Sequence, residues 1–230
     1  MYPTMTFILS LTPLTPLTSI NANAYKLVFW IISYLLFEPE LMDEIKAEID
    51  PAFSAGKFSA PDLTYLIESC PLLVSTCEEV LRLTIWSMGT RTVQSDTIIG
   101  GKKLRKGRKL LMPYRAMHFD TTIFGSDATS FNPRRFMEKT TLVNSKSYRP
   151  FGGAAHYCPG RFLARREVQM FTAVMLKRFD LSIVNRGSKS GKAPFPKMDD
   201  TLPSGGIQSP LKGQDIIVRV RPAKQSEQQV

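Results

Sequence analysis

From Leu27 to Phe37 almost every position is apolar, with Ser33 the one small polar break, so the segment has no polar face. Such a run predicts a helix buried on all sides; it is short of the roughly 20 apolar residues that a membrane span needs. After Glu38-Pro39-Glu40, charged and apolar positions alternate with helical spacing to about Ile49, and a loop follows around Pro51 to Pro61. Helical spacing returns over roughly Leu72 to Thr84 and again from Pro159 through about Lys177. Between these helices, Ile85 to Val93 reads as extended, Gly100 to Lys109 as a hairpin, and His118 to Phe136 as turns and short helices. Phe179 to Val184 and Ile216 to Val220 read as strands, separated by a polar loop from Arg186 to Lys192. The prolines of Leu11-Thr12-Pro13-Leu14-Thr15-Pro16 oppose a helix, so residues 1–20 read as an irregular leader and 223–230 as a disordered tail. The elements add up to a mainly α chain with small β-sheets, an α+β class.

Composition narrows the picture. A chain of 230 residues, 43% hydrophobic and 22% charged, can bury a real core in one domain or two. A net charge of +10 and the basic run Gly100-Gly101-Lys102-Lys103-Leu104-Arg105-Lys106-Gly107-Arg108-Lys109 raise nucleic acid as a partner. The run nevertheless alternates with Gly and Leu as a solvated hairpin does, and it lacks interleaved aromatics, so nucleic acid is set aside. Cys70, Cys77 and Cys158 are odd in number and lack zinc-type spacing, which argues against a disulfide framework and fits a reducing compartment. Cys70 and Cys77 read as core residues. His118 has no accompanying nucleophile or metal constellation and reads as structural.

Two places carry candidate chemistry. In Phe151-Gly152-Gly153-Ala154-Ala155-His156-Tyr157-Cys158-Pro159-Gly160-Arg161, a glycine-rich loop delivers one cysteine to a helix. Pro159 suits the first helical position, which places Cys158 at the helix N-terminus. There, unpaired N–H groups and the macrodipole favour the thiolate, the form that ligates metal. Gly152 and Gly153 permit unusual backbone angles and let a flat cofactor approach. A lone cysteine read by itself is more often a small buried hydrophobe. Upstream, Glu79 and Arg82 are three apart on one helical face, and an exposed ion pair of ~0.3–0.5 kcal/mol is the plain alternative there.

Together these residues resemble the cytochromes P-450. Phe151, His156, Cys158 and Gly160 resemble the family's haem-binding signature, Glu79-Val80-Leu81-Arg82 its Glu-x-x-Arg pair, and Phe131-Asn132-Pro133-Arg134-Arg135-Phe136 its Phe-x-Pro-x-Arg-Phe segment. The resemblance covers residues 21–222 and corresponds to the haem-binding C-terminal portion of that fold. It implies that Cys158 is the axial ligand of haem b, with Phe151, Gly152 and Gly160 against the cofactor and Arg91 and His156 at its propionates. It implies a buried triad of Glu79, Arg82 and Arg135, whose planar guanidinium groups share one carboxylate. Ala22, Trp86, Ser87, Met88, Gly206 and Ile207 would line the substrate pocket, and Asn23 would serve proton delivery. Arg161, Arg165 and Arg166 would steer an acidic reductase.

The activity implied is that of a haem-thiolate monooxygenase, inserting oxygen from dioxygen into an apolar small molecule such as a sterol, lipid or secondary metabolite. Electrons would come from an NADPH-dependent flavoprotein reductase. The nearest look is that of fungal members of the sterol- and prostanoid-handling branches. A full-length member would sit on the cytosolic face of the endoplasmic reticulum membrane, and no anchor is read in this chain. Two departures accompany the resemblance. Ala24 stands where most members have a proton-relay threonine, and Ala154 where a glycine is expected. The alternatives are a peroxide-rearranging isomerase of the same family, which needs no such relay, and a truncated non-catalytic remnant.

Overall fold

The computed structural model describes residues 5–9 (backbone only), 23–54, 59–153, 157–184, 193–201 and 204–223. The expected roles of Ala22 and His156, the alanine at 154, the polar loop at 186–192 and the tail from 224 lie outside the described residues.

The apolar run forms α1 (Ala24–Phe37), with Phe29, Trp30, Ile31, Ile32 and Leu35 buried. It stops because Pro39 follows, and a residue before proline is driven out of the helical region; Glu38 sits at φ −120°, ψ 72°. Pro39 then opens α2 (Pro39–Ile49), whose Leu41, Met42, Ile45 and Ile49 form its buried stripe. The short α3 (Leu63–Glu68) starts on Asp62, which accepts the Tyr65 N–H at 3.0 Å.

Helix α4 (Pro71–Thr84) is the centre of the molecule, with nearly all of its residues buried. Its orphan N-terminal amides are met from another helix: the Glu48 carboxylate of α2 accepts the N–H of Leu72 and of Leu73, each at 2.8 Å. Against α4 pack α1, α2 and the last long helix, α8 (Arg161–Arg178). The short helices α5 (Tyr114–His118), α6 (Thr121–Phe124) and α7 (Arg135–Glu138) wrap its other side around a small core of Phe124, Phe136, Leu142 and Tyr148.

The strands make three small antiparallel sheets. Strand β2 (Met88–Thr92) pairs with β5 (Lys109–Pro113), and between them β3 (Thr97–Ile99) pairs with β4 (Lys102–Leu104). Gly100 and Gly101, at φ 55° and 74°, form the two-residue turn that pairs Ile99 with Lys102. The third sheet has the order β1 (Met5–Leu9), β7 (Ile216–Pro222), β6 (Phe179–Ile183). Ile216, Val218 and Val220 alternate inward on β7, as period two requires.

The third sheet corrects the irregular leader for residues 5–9. Phe7 lies opposite Val218, so the segment Met5-Thr6-Phe7-Ile8-Leu9 supplies the edge that β7 lacks. Its β-branched and aromatic residues suit a strand, whereas the prolines that suggested irregularity start at Pro13.

Candidate functional site

Glu79 is wholly buried and accepts from two guanidinium groups. Arg82 reaches it bidentately, Nε to Oε2 at 2.8 Å and Nη2 to Oε1 at 2.7 Å, while Arg135 Nε lies 3.1 Å from both oxygens. The side chains of Glu79, Arg82 and Arg135 are 0%, 0% and 4% exposed, so the surface-pair alternative does not hold. Other donors are also met. Arg82 Nη1 donates to the carbonyls of His118 and Ala128 at 2.7 and 2.6 Å, and Arg135 donates to Phe124 O and to Asp127. Hydrogen bonds from Arg135 hold the Asp127 carboxyl down at about 2. Asp127 was missed in the sequence because its link to Arg135 is made through a turn with no period to reveal it.

Beside this brace lies the cysteine loop. Helix α8 begins at Arg161 with Gly160 as its cap, which corrects the expectation that Pro159 opens the helix and Cys158 occupies its N-terminus. The Cys158 N–H is not an orphan helical amide; it donates to Phe151 O at 2.9 Å and closes the loop on itself. Gly152 stands at φ 80°, a conformation costly for other residues, and a Cβ at Gly160 would lie 3.9 Å from Cys158 Sγ. Cys158 is exposed. Cys70 and Cys77 are buried, and burial pushes both thiols up, that of Cys70 to about 12. Of the three cysteines, Cys158 alone is exposed.

Glu78, one residue before Glu79 and about 100° round α4 from it, was also missed. Arg165 meets it through Nε at 2.5 Å and Nη2 at 3.0 Å, and Tyr148 Oη donates to Oε2 at 2.6 Å. The Arg165 guanidinium also lies over the Phe151 ring at 4.7 Å. This corrects the grouping of Arg165 with Arg161 and Arg166 as a docking cluster: its charge is met within the molecule. Arg161 packs over Tyr157 and Phe162 and donates to Cys158 O at 3.1 Å, and Arg166 is exposed. A cavity of about 300 Å³ opens here, lined by Tyr148, Phe151, Tyr157, Arg161, Phe162 and Arg165 among others.

His118 ties the two regions together. Its Nε2 accepts the Arg149 N–H at 2.8 Å, so the proton resides on Nδ1, which donates to Arg82 O at 3.1 Å. Burial lowers its pKa to about 4.

The residues expected at the substrate side meet in part. Asn23 Oδ1 accepts the Ile207 N–H at 2.9 Å, and a Cβ at Gly206 would fall 2.1 Å from that oxygen, so any larger residue there would have to displace the Asn23 side chain. Trp86 N–H donates to Gly206 O and Gln208 N–H to Thr84 O, both at 2.8 Å. The turn at 204–208 is thereby bound to α1 and to the end of α4. The Trp86 ring lies 4.2 Å from the Arg115 guanidinium. Ser87 is half-buried and Met88 is 53% exposed. Arg91, on β2 opposite Leu110, donates to Thr90 O at 2.9 Å; no described carboxylate pairs with it, and no described hydrogen bond joins it to the cysteine loop.

An exposed sulfur, glycines on either side and a fixed backbone amide fit a flat metallocofactor held by one thiolate. Among the described residues no cluster of three or more His, Cys, Asp or Glu competes as a metal site. The family model "Cytochrome P450" matches residues 27–205. The chain belongs to the cytochrome P450 family. It is 29% identical over 190 residues to a cytochrome P450 monooxygenase of Gibberella zeae, covering 76% of this chain and 36% of that protein. A cholesterol 7-alpha-monooxygenase of Cricetulus griseus is 28% identical over 221 residues, covering 87% of this chain and 43% of the relative. Among solved structures, a zebrafish cytochrome P450 with abiraterone superposes with a TM-score of 0.69 at 28% identity, over 87% of this P-450 chain and 45% of the other. This chain thus spans less than half the length of these relatives. Among its described residues no helix is long and apolar enough to cross a membrane.

Proposed function

We propose that this chain is the haem-thiolate portion of a monooxygenase that inserts oxygen from dioxygen into an apolar small molecule. The observation that carries the reading is Cys158, exposed, its amide closed on Phe151 O, beside a fully buried Glu79–Arg82–Arg135 brace. Cys158 would hold the iron of haem b, Phe151, Gly152 and Gly160 would flank the cofactor, and Arg91 and His156 would meet its propionates. Bound haem supplies the reductive activation of dioxygen. The chain's own residues do the rest. Asn23, with its Oδ1 engaged by Ile207, holds the turn carrying Gly206 and leaves only its amide N–H₂ for a proton path. Ala22, Trp86, Ser87 and Met88 would complete the substrate wall.

A sterol, lipid or secondary metabolite is the substrate class, in keeping with the cholesterol-acting relative and the fungal one. Electrons would come from an NADPH-dependent flavoprotein reductase steered by the net charge of +10, and the complete enzyme would work at the cytosolic face of the endoplasmic reticulum. Ala24 favours a second reading, a peroxide-rearranging isomerase, because its methyl group can neither donate nor accept a proton.

Haem added to the expressed chain and reduced under carbon monoxide should give the thiolate-type absorption band in wild type and lose it in Cys158→Ser. A spectrum unchanged by that substitution would overturn the reading.

A further inference from the structure

Adjacent residues on a helix point about 100° apart, so Glu78 and Glu79 address different partners from neighbouring positions on α4. The Glu79 network is a family feature. Glu78 belongs to none of the motifs above, yet it is a buried carboxylate whose two oxygens are both committed, to Arg165 and Tyr148. Burial, reinforced by the Glu78 charge, raises the Tyr148 pKa well above the ordinary phenol value, so the phenol remains a donor. Tyr148 precedes Phe151 by three residues, and the Arg165 guanidinium covers the Phe151 ring at 4.7 Å. Phe151 O in turn receives the Cys158 N–H. A buried charge thus connects α4, α8 and the segment 148–151 to one backbone amide at the ligand sulfur.

We propose that Glu78, Arg165 and Tyr148 are positioning residues that fix Phe151 and, through its carbonyl, the backbone amide of Cys158. The consequence for ligation rests on the haem-thiolate reading, while the positioning itself does not. Removing the Glu78 charge leaves Arg165 half-buried without a counter-ion, frees it to turn toward water, and withdraws it from the Phe151 ring.

The test needs no cofactor. In the haem-free chain, amide hydrogen exchange of the peptide containing Cys158 should quicken about tenfold in Glu78→Gln and Arg165→Gln, the loss of one ordinary hydrogen bond. Exchange in residues 72–84 should stay at the wild-type rate, which a general loss of stability would not allow. If Glu78→Gln fails to fold, Phe151→Leu decides: it leaves the Glu78–Arg165 pair in place and should quicken the same peptide. Wild-type exchange at Cys158 in the folded variants overturns the proposal, whatever the haem spectrum shows. In the haem-loaded chain the same variants should shift the carbon monoxide spectrum from the thiolate to the thiol form. Absence of a thiolate band from wild type would defeat the functional reading and leave the exchange result standing.

Discussion

Glu79 and Glu78 are neighbours on α4 and serve regions of opposite character. Around Glu79 two buried guanidinium groups are met by the carboxylate, by five backbone carbonyls and by Asp127, whose own side chain is 46% exposed at the rim. On the Glu78 side a single guanidinium and a phenol hold a glycine-rich segment whose cysteine faces outward. The closed network can only be structural, because it has no unsatisfied donor to offer a ligand. The open one leaves the sulfur and the mouth of a cavity accessible, and that is where chemistry can occur. His118 spans the two, donating to Arg82 O and accepting from Arg149 N–H.

The sharpest way to break this contrast is Glu79→Ala, which leaves two buried guanidinium groups facing an empty site. It should cost on the order of 3–5 kcal/mol by urea unfolding, and a near-normal midpoint would mean the network is not the keystone described.

His118 offers a graded version. Its folded-state pKa is lowered to about 4, so between the ordinary value near 6.5 and 4 the unfolded chain binds a proton that the folded chain refuses. Stability should therefore be intact above about pH 6.5, fall by roughly 3 kcal/mol as pH drops toward 4, and level off for this group below that. In His118→Gln the fall over that window should flatten; an unaltered profile would assign it to other groups.

The smallest expected effect is at Arg134 and Glu44, an arginine–carboxylate pair with side chains 42% and 48% exposed. Arg134→Ala should change stability by less than about 1 kcal/mol, since solvent screens such pairs. A loss comparable to that of Glu79→Ala would show that burial is not what separates them.

Much of this was legible beforehand for identifiable reasons. The apolar run of α1, the Pro39 break, the Pro71–Thr84 helix and the strand Phe179–Ile183 are local patterns, and local patterns register in a sequence. So do Gly100 and Gly101, because a tight hairpin needs positive φ. Glu78, Asp127 and the true partner of Arg165 did not register. Each depends on a contact between segments far apart in the chain, and a carboxylate on a helix looks the same in sequence whether solvent or a guanidinium group meets it. The start of α8 was misplaced by two residues because Pro159 satisfies the rule for a first helical position, while the loop already uses the Cys158 amide elsewhere.

By itself the sequence determined most of the elements and singled out Cys158 as the candidate ligand, since periodicity, proline and glycine act through the backbone next to them. The tertiary structure decided which charges are buried and what they hold. Arg165 became a brace for Phe151 rather than a surface charge, Asn23 an anchor for the Gly206 turn, and Met5–Leu9 a strand. The reason is desolvation: the same pair is weak in water and strong in the interior, and only the packing of distant segments determines which environment it occupies.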